Sequence, residues 1–317
     1  MNKRKFVRWA SGILGSMLIL AAILVMVFHN PDIPVSSLKA AYGGGKSRFM
    51  PIMGMSVHYR DEGPATDSLP LLLLHGSGSS LHTWDSLVAM MPDKRCIRLD
   101  LPGFGLTGPA PDGDYSASVA GAVIDSLLQF LQVDSCIVAG NSLGGMIAWN
   151  YAAGHPGVKG LVLLDPSGFP TGNKGGNLGF RLARTPMVNR LVKYITPRSV
   201  VEKSLKQSYG NPALVTEKLV QRYYDLNLRE GNRQALIDRL TTRQGSDTAK
   251  LQSLSMPVLL IWGELDQVIP VEHADRFMRM IPHARRVIYK GIGHVPMEEA
   301  PVLVDASIRA WLMEARP

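Results

Sequence analysis

A serine flanked by glycines is the residue of this sequence that is most clearly placed to do chemistry. In the run Gly140-Asn141-Ser142-Leu143-Gly144, Ser142 is the only serine of the chain that fits the pattern G-x-S-x-G. A buried-strand pattern ends just before it and a helical pattern begins just after it, which predicts a tight strand-to-helix turn. Small glycines leave room for such a bend, which exposes the serine hydroxyl at the start of a helix. The pattern therefore predicts a nucleophilic serine.

A serine hydroxyl needs a general base, and the base needs an acid that orients it. His294 lies in a loop directly after the last predicted strand, and Asp266 directly follows the strand before that one. Because ligands of α/β sheets lie at the carboxyl edge, both side chains are expected near Ser142. We predict that Ser142, Asp266 and His294 are catalytic. Asp165, which also ends a strand, is the second candidate acid, and Glu264 is a weaker third.

The same pattern locates backbone donors for a negatively charged oxygen. One donor is the N–H of Leu143, which follows the predicted nucleophile. The other is expected in the small-residue loop 75–80, where the Ser77 N–H is the first choice and the Gly78 N–H is the second. This loop has neither G-x-G-x-x-G spacing nor a P-loop lysine, so it does not indicate a phosphate site. We predict no cofactor and no metal.

The elements that must position these residues alternate between strands and helices. Apolar or alternating runs predict eight strands, over 47–50, 55–60, 70–75, 96–100, 135–139, 158–165, 257–262 and 285–290. Helical patterns occupy 81–91, 116–131, 143–153, 272–280 and 301–313. This alternation predicts an α/β fold in which helices flank a mostly parallel, eight-stranded sheet on both faces.

Residues 168–250 interrupt the alternation. They contain five helix-like pieces and no strong strand pattern, and they lie between two strands of the predicted sheet. We interpret them as a helical cap above the carboxyl edge, with 47–167 and 251–317 forming the core. The alternative is an extra helical layer that has no role in substrate access.

The net charge of +8 is concentrated in two segments, so it does not indicate a generally basic, nucleic-acid-binding surface. The first 30 residues carry four basic residues and no acid, and residues 169–250 carry 15 basic and 6 acidic residues. Anionic lipid headgroups attract such cations. We expect the cap to dock on a membrane through Arg181, Arg184, Arg190 and Lys193. A solvated helix face is the alternative.

The N-terminal segment predicts a membrane anchor. Residues 9–28 contain no charge, and a helix of this length spans about 30 Å, the thickness of the hydrocarbon core of a bilayer. The basic residues precede it, so the positive-inside rule keeps the N-terminus in the cytoplasm and places the catalytic domain on the other side. We predict a signal anchor over 1–29 and a flexible linker over 30–46. A cleaved signal peptide and a buried soluble helix are the alternatives.

Cys96 and Cys136 are predicted to be free, buried thiols. Each lies early in a predicted buried strand, and the strand over 70–75 is expected between them. Two strand spacings amount to about 9.6 Å, which exceeds the roughly 7 Å that a disulfide spans between Cα atoms. A disulfide is therefore not expected, even outside the cytoplasm.

Together, these motifs resemble the α/β-hydrolase superfamily over about residues 49–313. The runs that carry the resemblance are His75-Gly76, Asp100-Leu101-Pro102-Gly103-Phe104-Gly105, Gly140-Asn141-Ser142-Leu143-Gly144-Gly145, Trp262-Gly263-Glu264-Leu265-Asp266 and Gly293-His294-Val295-Pro296. Within the superfamily, the sequence is similar to membrane-anchored microbial esterases and lipases of the monoacylglycerol-lipase type, and less closely to meta-cleavage C–C hydrolases.

The resemblance implies a serine hydrolase that cleaves small-molecule carboxylic esters with small to medium acyl chains through an acyl-enzyme. Haloalkane dehalogenases and epoxide hydrolases use an aspartate nucleophile, so Ser142 argues against both. A C–C bond hydrolase of a vinylogous diketone stays open, as does a ligand-binding protein that keeps the catalytic residues but turns over slowly. An acyltransferase that uses the same acyl-enzyme is a further alternative.

Overall fold

The computed structural model describes residues 25–171, 178–185, 188–241 and 247–315, together with single positions between residues 9 and 23. Within this part of the chain, eight strands form one sheet. Their bounds are β1 (Arg48–Ile52), β2 (Met55–Glu62), β3 (Leu71–Leu74), β4 (Cys96–Leu99), β5 (Cys136–Asn141), β6 (Val158–Leu164), β7 (Val258–Gly263) and β8 (Arg285–Tyr289).

The strand order in the sheet is β1-β2-β4-β3-β5-β6-β7-β8. β1 pairs with β2 and β2 pairs with β4 in antiparallel orientation, whereas the remaining neighbours are parallel. The prediction of an eight-stranded, mostly parallel sheet is therefore confirmed. Central strands β3 and β5 are buried along their whole length, which explains why their sequences are continuous apolar runs.

Helices flank both faces of this sheet. The described α-helices are α1 (Val35–Tyr42), α2 (Asp85–Met90), α3 (Ala117–Phe130), α4 (Leu143–Ala152), α5 (Leu178–Arg184), α6 (Val188–Val192), α7 (Arg198–Ser208), α8 (Glu217–Asn227), α9 (Asn232–Thr241), α10 (His273–Met280), α11 (Pro296–Glu299) and α12 (Pro301–Ala315).

Side chains alternate between two apolar layers, one on each face of the sheet. In β3, Leu72 and Leu74 join the layer that packs beneath α3, α4 and α10, whereas Leu71 and Leu73 join the layer beneath α2, α11 and α12. This alternation follows from the two-residue period of a strand. The two layers fix the sheet, and so they fix the loops at its carboxyl edge.

Helices α5 to α9 lie between β6 and β7, and we refer to them as the inserted helices. They bond to loops that follow the carboxyl ends of other strands. The Asn232 side chain donates to the Gly105 carbonyl (3.1 Å) after β4, and the Ser208 carbonyl accepts from the His294 N–H (2.7 Å) after β8. The inserted helices therefore lie over the carboxyl edge of the sheet.

Residues 30–46 were expected to form a flexible linker, but the structure holds part of this segment against the inserted helices. The Ile33 N–H donates to the Leu228 carbonyl (2.7 Å), and Asp32 forms an ion pair with Arg233 (2.7 Å). These bonds are incompatible with a freely moving tether at this point of the chain.

Helix α1 is the second difference from the linker prediction. Its Leu38 is 2% exposed and packs with Leu106 of the core and Leu226 of the inserted helices. The prediction gave weight to the prolines and glycines at the ends of the segment. It overlooked the intervening run, in which Leu38 is buried and the Tyr42 hydroxyl donates to Asp225 Oδ2 over 2.6 Å.

The predicted signal anchor falls on residues for which the structure describes only single positions and the last turn. That prediction therefore lies largely outside the described residues. Within the described part of the chain, no helix combines the length and the apolar character that crossing a bilayer requires.

Cys96 begins β4 and Cys136 begins β5, and β3 lies between these two strands. Both cysteines are buried and free, which confirms the prediction. Burial raises the pKa of each thiol to about 12, so neither is a thiolate at neutral pH.

Candidate active site

Ser142 occupies a strained turn between β5 and α4. Its φ of 54° and ψ of −115° lie in a region that residues with a side chain rarely adopt. Surrounding hydrogen bonds hold this backbone: the Ser142 N–H donates to the Leu164 carbonyl (3.1 Å), and the Ser142 carbonyl accepts from the Ser167 N–H (2.9 Å). The turn places Ser142 at the N-terminus of α4, where the helix dipole favours negative charge.

Two glycines of the G-x-S-x-G run are required by close backbone contacts. A Cβ atom at Gly140 would overlap the backbone of Gly144, and a Cβ atom at Gly144 would overlap the Leu74 carbonyl in the neighbouring strand. The spacing therefore reflects a steric requirement on both sides of the serine.

His294 and Asp266 are hydrogen-bonded to each other. The His294 Nδ1–H donates to Asp266 Oδ2 over 2.7 Å, and both side chains are buried. Asp266 Oδ1 accepts from the backbone N–H groups of Val268 (2.7 Å) and Ile269 (2.9 Å), which fix the carboxylate. With the ring proton held on Nδ1, Nε2 is the nitrogen that can accept another proton.

The two other candidate acids have different partners. Asp165 is fully buried after β6, and its Oδ1 accepts from the Gly263 N–H (2.8 Å). Glu264 is exposed and accepts from a backbone N–H in the loop before the histidine. The geometry thus pairs His294 with Asp266.

The predicted oxyanion donors belong to the serine turn and to the loop after β3. Leu143 is the first residue of α4, so its N–H has no acceptor within the helix. Ser77 follows β3 and lines the same cavity as Ser142, and so does Gly78. The structure therefore brings the loop after β3 next to the serine turn, as the sequence pattern requires.

Side chains of the inserted helices hold this loop, and the sequence analysis did not identify them. Arg239 Nη2 donates to Ser77 Oγ (2.6 Å), and Asn227 Nδ2 donates to the Gly78 carbonyl (3.2 Å). Burial lowers the pKa of Arg239 to about 9. Both contacts join residues about 150 positions apart in the chain, and no local pattern signals them.

His75 fastens the start of the loop. Its Nε2 accepts from the Leu101 N–H (3.0 Å), so Nδ1 carries the proton and donates to the Gly76 carbonyl (2.8 Å). Burial lowers the pKa of His75, which keeps the ring neutral. The His75-Gly76 motif thus positions the loop and leaves general base chemistry to His294.

Asn141 connects the serine turn to the histidine loop, a role that the sequence analysis missed. Its Nδ2 donates to the carbonyls of His294 (2.9 Å) and Leu164 (3.1 Å). The sequence did offer a signal for this role, because Asn141 is a polar amide at the end of a fully buried strand and buried amides require hydrogen-bond partners.

Glu298 connects the inserted helices to the core, and it was also missed. Its carboxylate accepts hydrogen bonds from the hydroxyls of Tyr209 (2.5 Å) and Tyr223 (2.6 Å). The Tyr223 oxygen also lies 3.0 Å from Ser79 Oγ in the loop after β3. The one feature of the sequence that could have indicated this role is that Glu298 is an acidic residue four positions after His294.

Ser142 and His294 line one cavity together with Ser77. Apolar side chains of the inserted helices and of the segments that connect them make up much of the rest of the wall, and they are Phe180, Leu182, Ile195, Val200, Val201 and Leu205. A concave site with a few polar groups at one end and apolar walls is typical of a small-molecule site.

Comparisons with known proteins agree with this architecture. Lipase 1 of Psychrobacter immobilis is 29% identical over 245 residues, which cover 73% of this chain and 73% of the lipase. A 2-hydroxy-6-oxononadienedioate/2-hydroxy-6-oxononatrienedioate hydrolase of Cupriavidus pinatubonensis is 24% identical over 280 residues, or 82% of this chain and 92% of that hydrolase. The solved structure of a membrane phospholipase A has a TM-score of 0.73 at 24% identity and covers 99% of each chain. Residues 70–301 match the family model of the alpha/beta hydrolase fold, so the chain belongs to that family.

Proposed function

We propose that the chain is a serine hydrolase that cleaves carboxylic esters, with Ser142, His294 and Asp266 (hereafter the triad) as its catalytic residues. The observation that carries the proposal is a strained serine in the same cavity as a histidine already bonded to a carboxylate. Such a base activates an otherwise weak nucleophile. The similarity to a lipase supports ester hydrolysis at the level of the family.

In the proposed mechanism, His294 Nε2 takes the proton of Ser142 Oγ as this oxygen attacks the ester carbonyl carbon. The N–H groups of Leu143 and Ser77 donate to the oxyanion of the tetrahedral intermediate. His294 then gives its proton to the departing alkoxide, the ester C–O bond breaks, and an acyl-enzyme remains. A water molecule then attacks the acyl-enzyme by the same steps and releases the carboxylic acid. Asp266 stabilises the imidazolium of His294 during both acylation and deacylation.

We infer that the substrate carries a small to medium acyl chain, as in acylglycerols, because the cavity wall beyond the triad is mainly apolar. Burial of such a chain contributes roughly 25 cal/mol per Å². A C–C hydrolase acting on a ring-fission product is the second candidate, and one relative carries such a name. Dienedioate substrates have two carboxylates, whereas Arg233, the cation on the described cavity wall, already pairs with Asp32 (2.7 Å). This contrast favours the ester.

The test is a panel of p-nitrophenyl esters of increasing chain length, with monoacylglycerols, triacylglycerols and a ring-fission dienoate. We expect ester turnover that is lost in S142A and little turnover of the dienoate. Ester rates that survive S142A, or a dienoate turned over faster than every ester, would contradict the proposal.

We also propose that residues 1–29 anchor the chain in a membrane by a single span, with the catalytic domain outside the cytoplasm. In a bacterium, this is the periplasmic side of the inner membrane. The uncharged stretch and the basic residues before it support the anchor. The Asn30 N–H donates to the carbonyl of exposed Tyr194 (2.9 Å), so the anchor would end against the inserted helices. Protease added to intact spheroplasts should digest the catalytic domain, and full protection would contradict this topology.

We further propose that residues 168–250 act as a cap over a core of 47–167 and 251–317, and that the cap docks on anionic lipid. Support comes from four exposed cations in the inserted helices and just after α6, namely Arg181, Arg184, Arg190 and Lys193. Each contributes about 1 kcal/mol near an anionic surface.

The docking test reconstitutes the full chain in anionic or neutral vesicles and measures hydrolysis of a lipid ester at increasing salt. Replacing the four cations with glutamine should abolish the preference for anionic vesicles. Replacing exposed Lys203 and Lys218, which lie elsewhere on the inserted helices, should preserve it. An equal effect of both replacements would contradict the docking proposal.

A further inference from the structure

Asp165 is a buried carboxyl group that the proposed mechanism does not use. It follows β6, its exposure is 0%, and its φ of 45° shows a left-handed turn. Oδ1 accepts the Gly263 N–H, but Oδ2 is buried and has no hydrogen-bond partner in the described part of the chain. A buried carboxylate oxygen without a donor is strongly destabilising, whereas a protonated oxygen becomes a donor itself.

The surroundings of Asp165 supply an acceptor for such a proton. One Asp165 oxygen lies within 4.8 Å of an Asp266 oxygen and of a His294 ring nitrogen. Two further titratable groups interact electrostatically with Asp165, namely Glu299, which opposes its charge, and Tyr289. Glu299 accepts from backbone N–H groups, and the Tyr289 hydroxyl bonds to α12. Apart from His294, these neighbours are acidic or neutral, so they oppose a second negative charge.

We propose that Asp165 is a neutral carboxylic acid that donates its Oδ2 proton to the Asp266 carboxylate and thereby acts as a positioning residue for the triad. This inference rests on the proposed function. Burial and the nearby charge of Asp266 raise the pKa of Asp165 well above its usual range, which agrees with the geometry.

One proton shared by the two carboxyl groups has a direct consequence for the base. The pair carries a single negative charge, and the added hydrogen bond stabilises that charge on Asp266. A carboxylate stabilised in this way holds the His294 proton less strongly.

The first test compares pH profiles of kcat/KM for a soluble p-nitrophenyl ester, from about pH 4 to about pH 9. The D165N amide remains an uncharged donor, so its acidic limb should stay within a few tenths of a pH unit of the wild type. D165A lacks a donor, so the Asp266 carboxylate holds the His294 proton more strongly and the acidic limb should move to higher pH. If Asp165 is ionised, both variants remove a negative charge beside His294. Their acidic limbs then move to lower pH, and that result would overturn the proposal.

The second test needs no turnover. A neutral Asp165 keeps its proton in the folded chain, whereas the unfolded chain releases it above a pKa of about 4. Because the folded pKa is the raised one, this contribution to stability is complete at low pH and is lost as pH rises. Relative to D165N, the folding equilibrium constant of the wild type should fall about tenfold per pH unit above that pKa.

Urea unfolding of the full chain in detergent at about pH 5, 6 and 7 measures the ratio of the folding equilibrium constants of the wild type and D165N. A ratio that does not change with pH overturns the proposal. If D165N fails to fold, carboxyl ¹³C NMR of the aspartate-labelled wild type decides, since one aspartate must stay protonated at neutral pH. These measurements also separate the two claims, because a chain that does not hydrolyse esters can still hold a proton on Asp165.

Discussion

A second Ser–His–Asp arrangement lies among the antiparallel strands of the sheet, where Ser47 precedes β1, His58 lies in β2 and Asp100 follows β4. His58 Nδ1 lies 2.7 Å from Asp100 Oδ2, and His58 Nε2 lies 2.7 Å from Ser47 Oγ. We refer to these residues as the structural cluster. In the proposed triad, the histidine and aspartate are also 2.7 Å apart. The length of the histidine–aspartate hydrogen bond therefore does not distinguish the two sites.

The surroundings do distinguish them. In the structural cluster, Ser47 Oγ accepts from Arg60 Nε (3.1 Å), and the Phe49 ring stacks on His58 with centroids 4.9 Å apart. Asp100 accepts two further backbone N–H bonds, one from Leu81 after β3 and one from Leu106 in the loop after β4. In the triad, the serine lies at a helix N-terminus and on a cavity wall. Backbone donors and access to substrate, rather than three hydrogen-bonded side chains alone, therefore define a hydrolase site.

The largest expected effect separates the two serines. S142A should lower kcat by about 10⁶, because the triad residues act as a unit. S47A is the matched control and should stay within a few-fold of the wild type. Steady-state rates on a p-nitrophenyl ester measure both, and comparable losses in the two variants would break the comparison.

The two histidines should differ in the free energy of unfolding. H58A leaves the fully buried Asp100 charge without its histidine partner, and breaking such a buried pair costs about 3–5 kcal/mol. H294A should lose activity but retain more stability, since His294 lines the cavity and water can replace its ring. Urea unfolding checks this order. A larger loss of stability in H294A than in H58A would show that the His294–Asp266 pair contributes more to folding than the His58–Asp100 pair, which contradicts this prediction.

The structural cluster should also have its own pH dependence. Burial opposes ionisation of Asp100, but the charge and hydrogen bond of His58 lower the pKa of Asp100 well below its usual range. A lowered folded pKa contributes stability above the unfolded value of about 4, and this contribution is lost as pH falls. The stability difference between wild type and D100N should therefore shrink from about pH 7 to about pH 3. A difference that is constant with pH would refute this. The expected sign is opposite to that for Asp165.

The smallest effect concerns the amide beside the nucleophile. N141A removes the bond to the His294 carbonyl, so it should lower kcat roughly tenfold with little change in KM, because the base is less well positioned. N150A is the control, since Asn150 Nδ2 donates to the Met146 carbonyl one turn earlier in α4. Equal losses of kcat in N141A and N150A would show that Asn141 does not position His294.

The parts of the site that could be predicted are those that depend on local chain geometry. The turn itself requires Gly140 and Gly144. The motif therefore predicts the nucleophilic position of Ser142 without any knowledge of the rest of the fold. Asp266 and His294 each follow a predicted strand, and parallel strands bring such positions to one edge. The sheet could also be predicted from local sequence, because its central strands are continuous apolar runs.

Contacts that cross between distant elements could not be predicted in this way. Arg239 on Ser77 joins positions 162 apart in the chain, and Glu298 joins Tyr209 across 89 positions. Each depends on how the inserted helices sit on the sheet. The docked helix α1 was missed because one buried leucine in a short helix leaves almost no periodic signal.

The central claim is that Ser142, and not another serine, is the activated nucleophile, and covalent labelling tests it most directly. The full chain is treated with a fluorophosphonate probe, and the modified peptide is identified by mass spectrometry. We expect rapid incorporation of one probe per chain at Ser142, no incorporation in S142A or H294A, and unchanged incorporation in S47A. Labelling at Ser47, or labelling of Ser142 that is indifferent to the loss of His294, would contradict it.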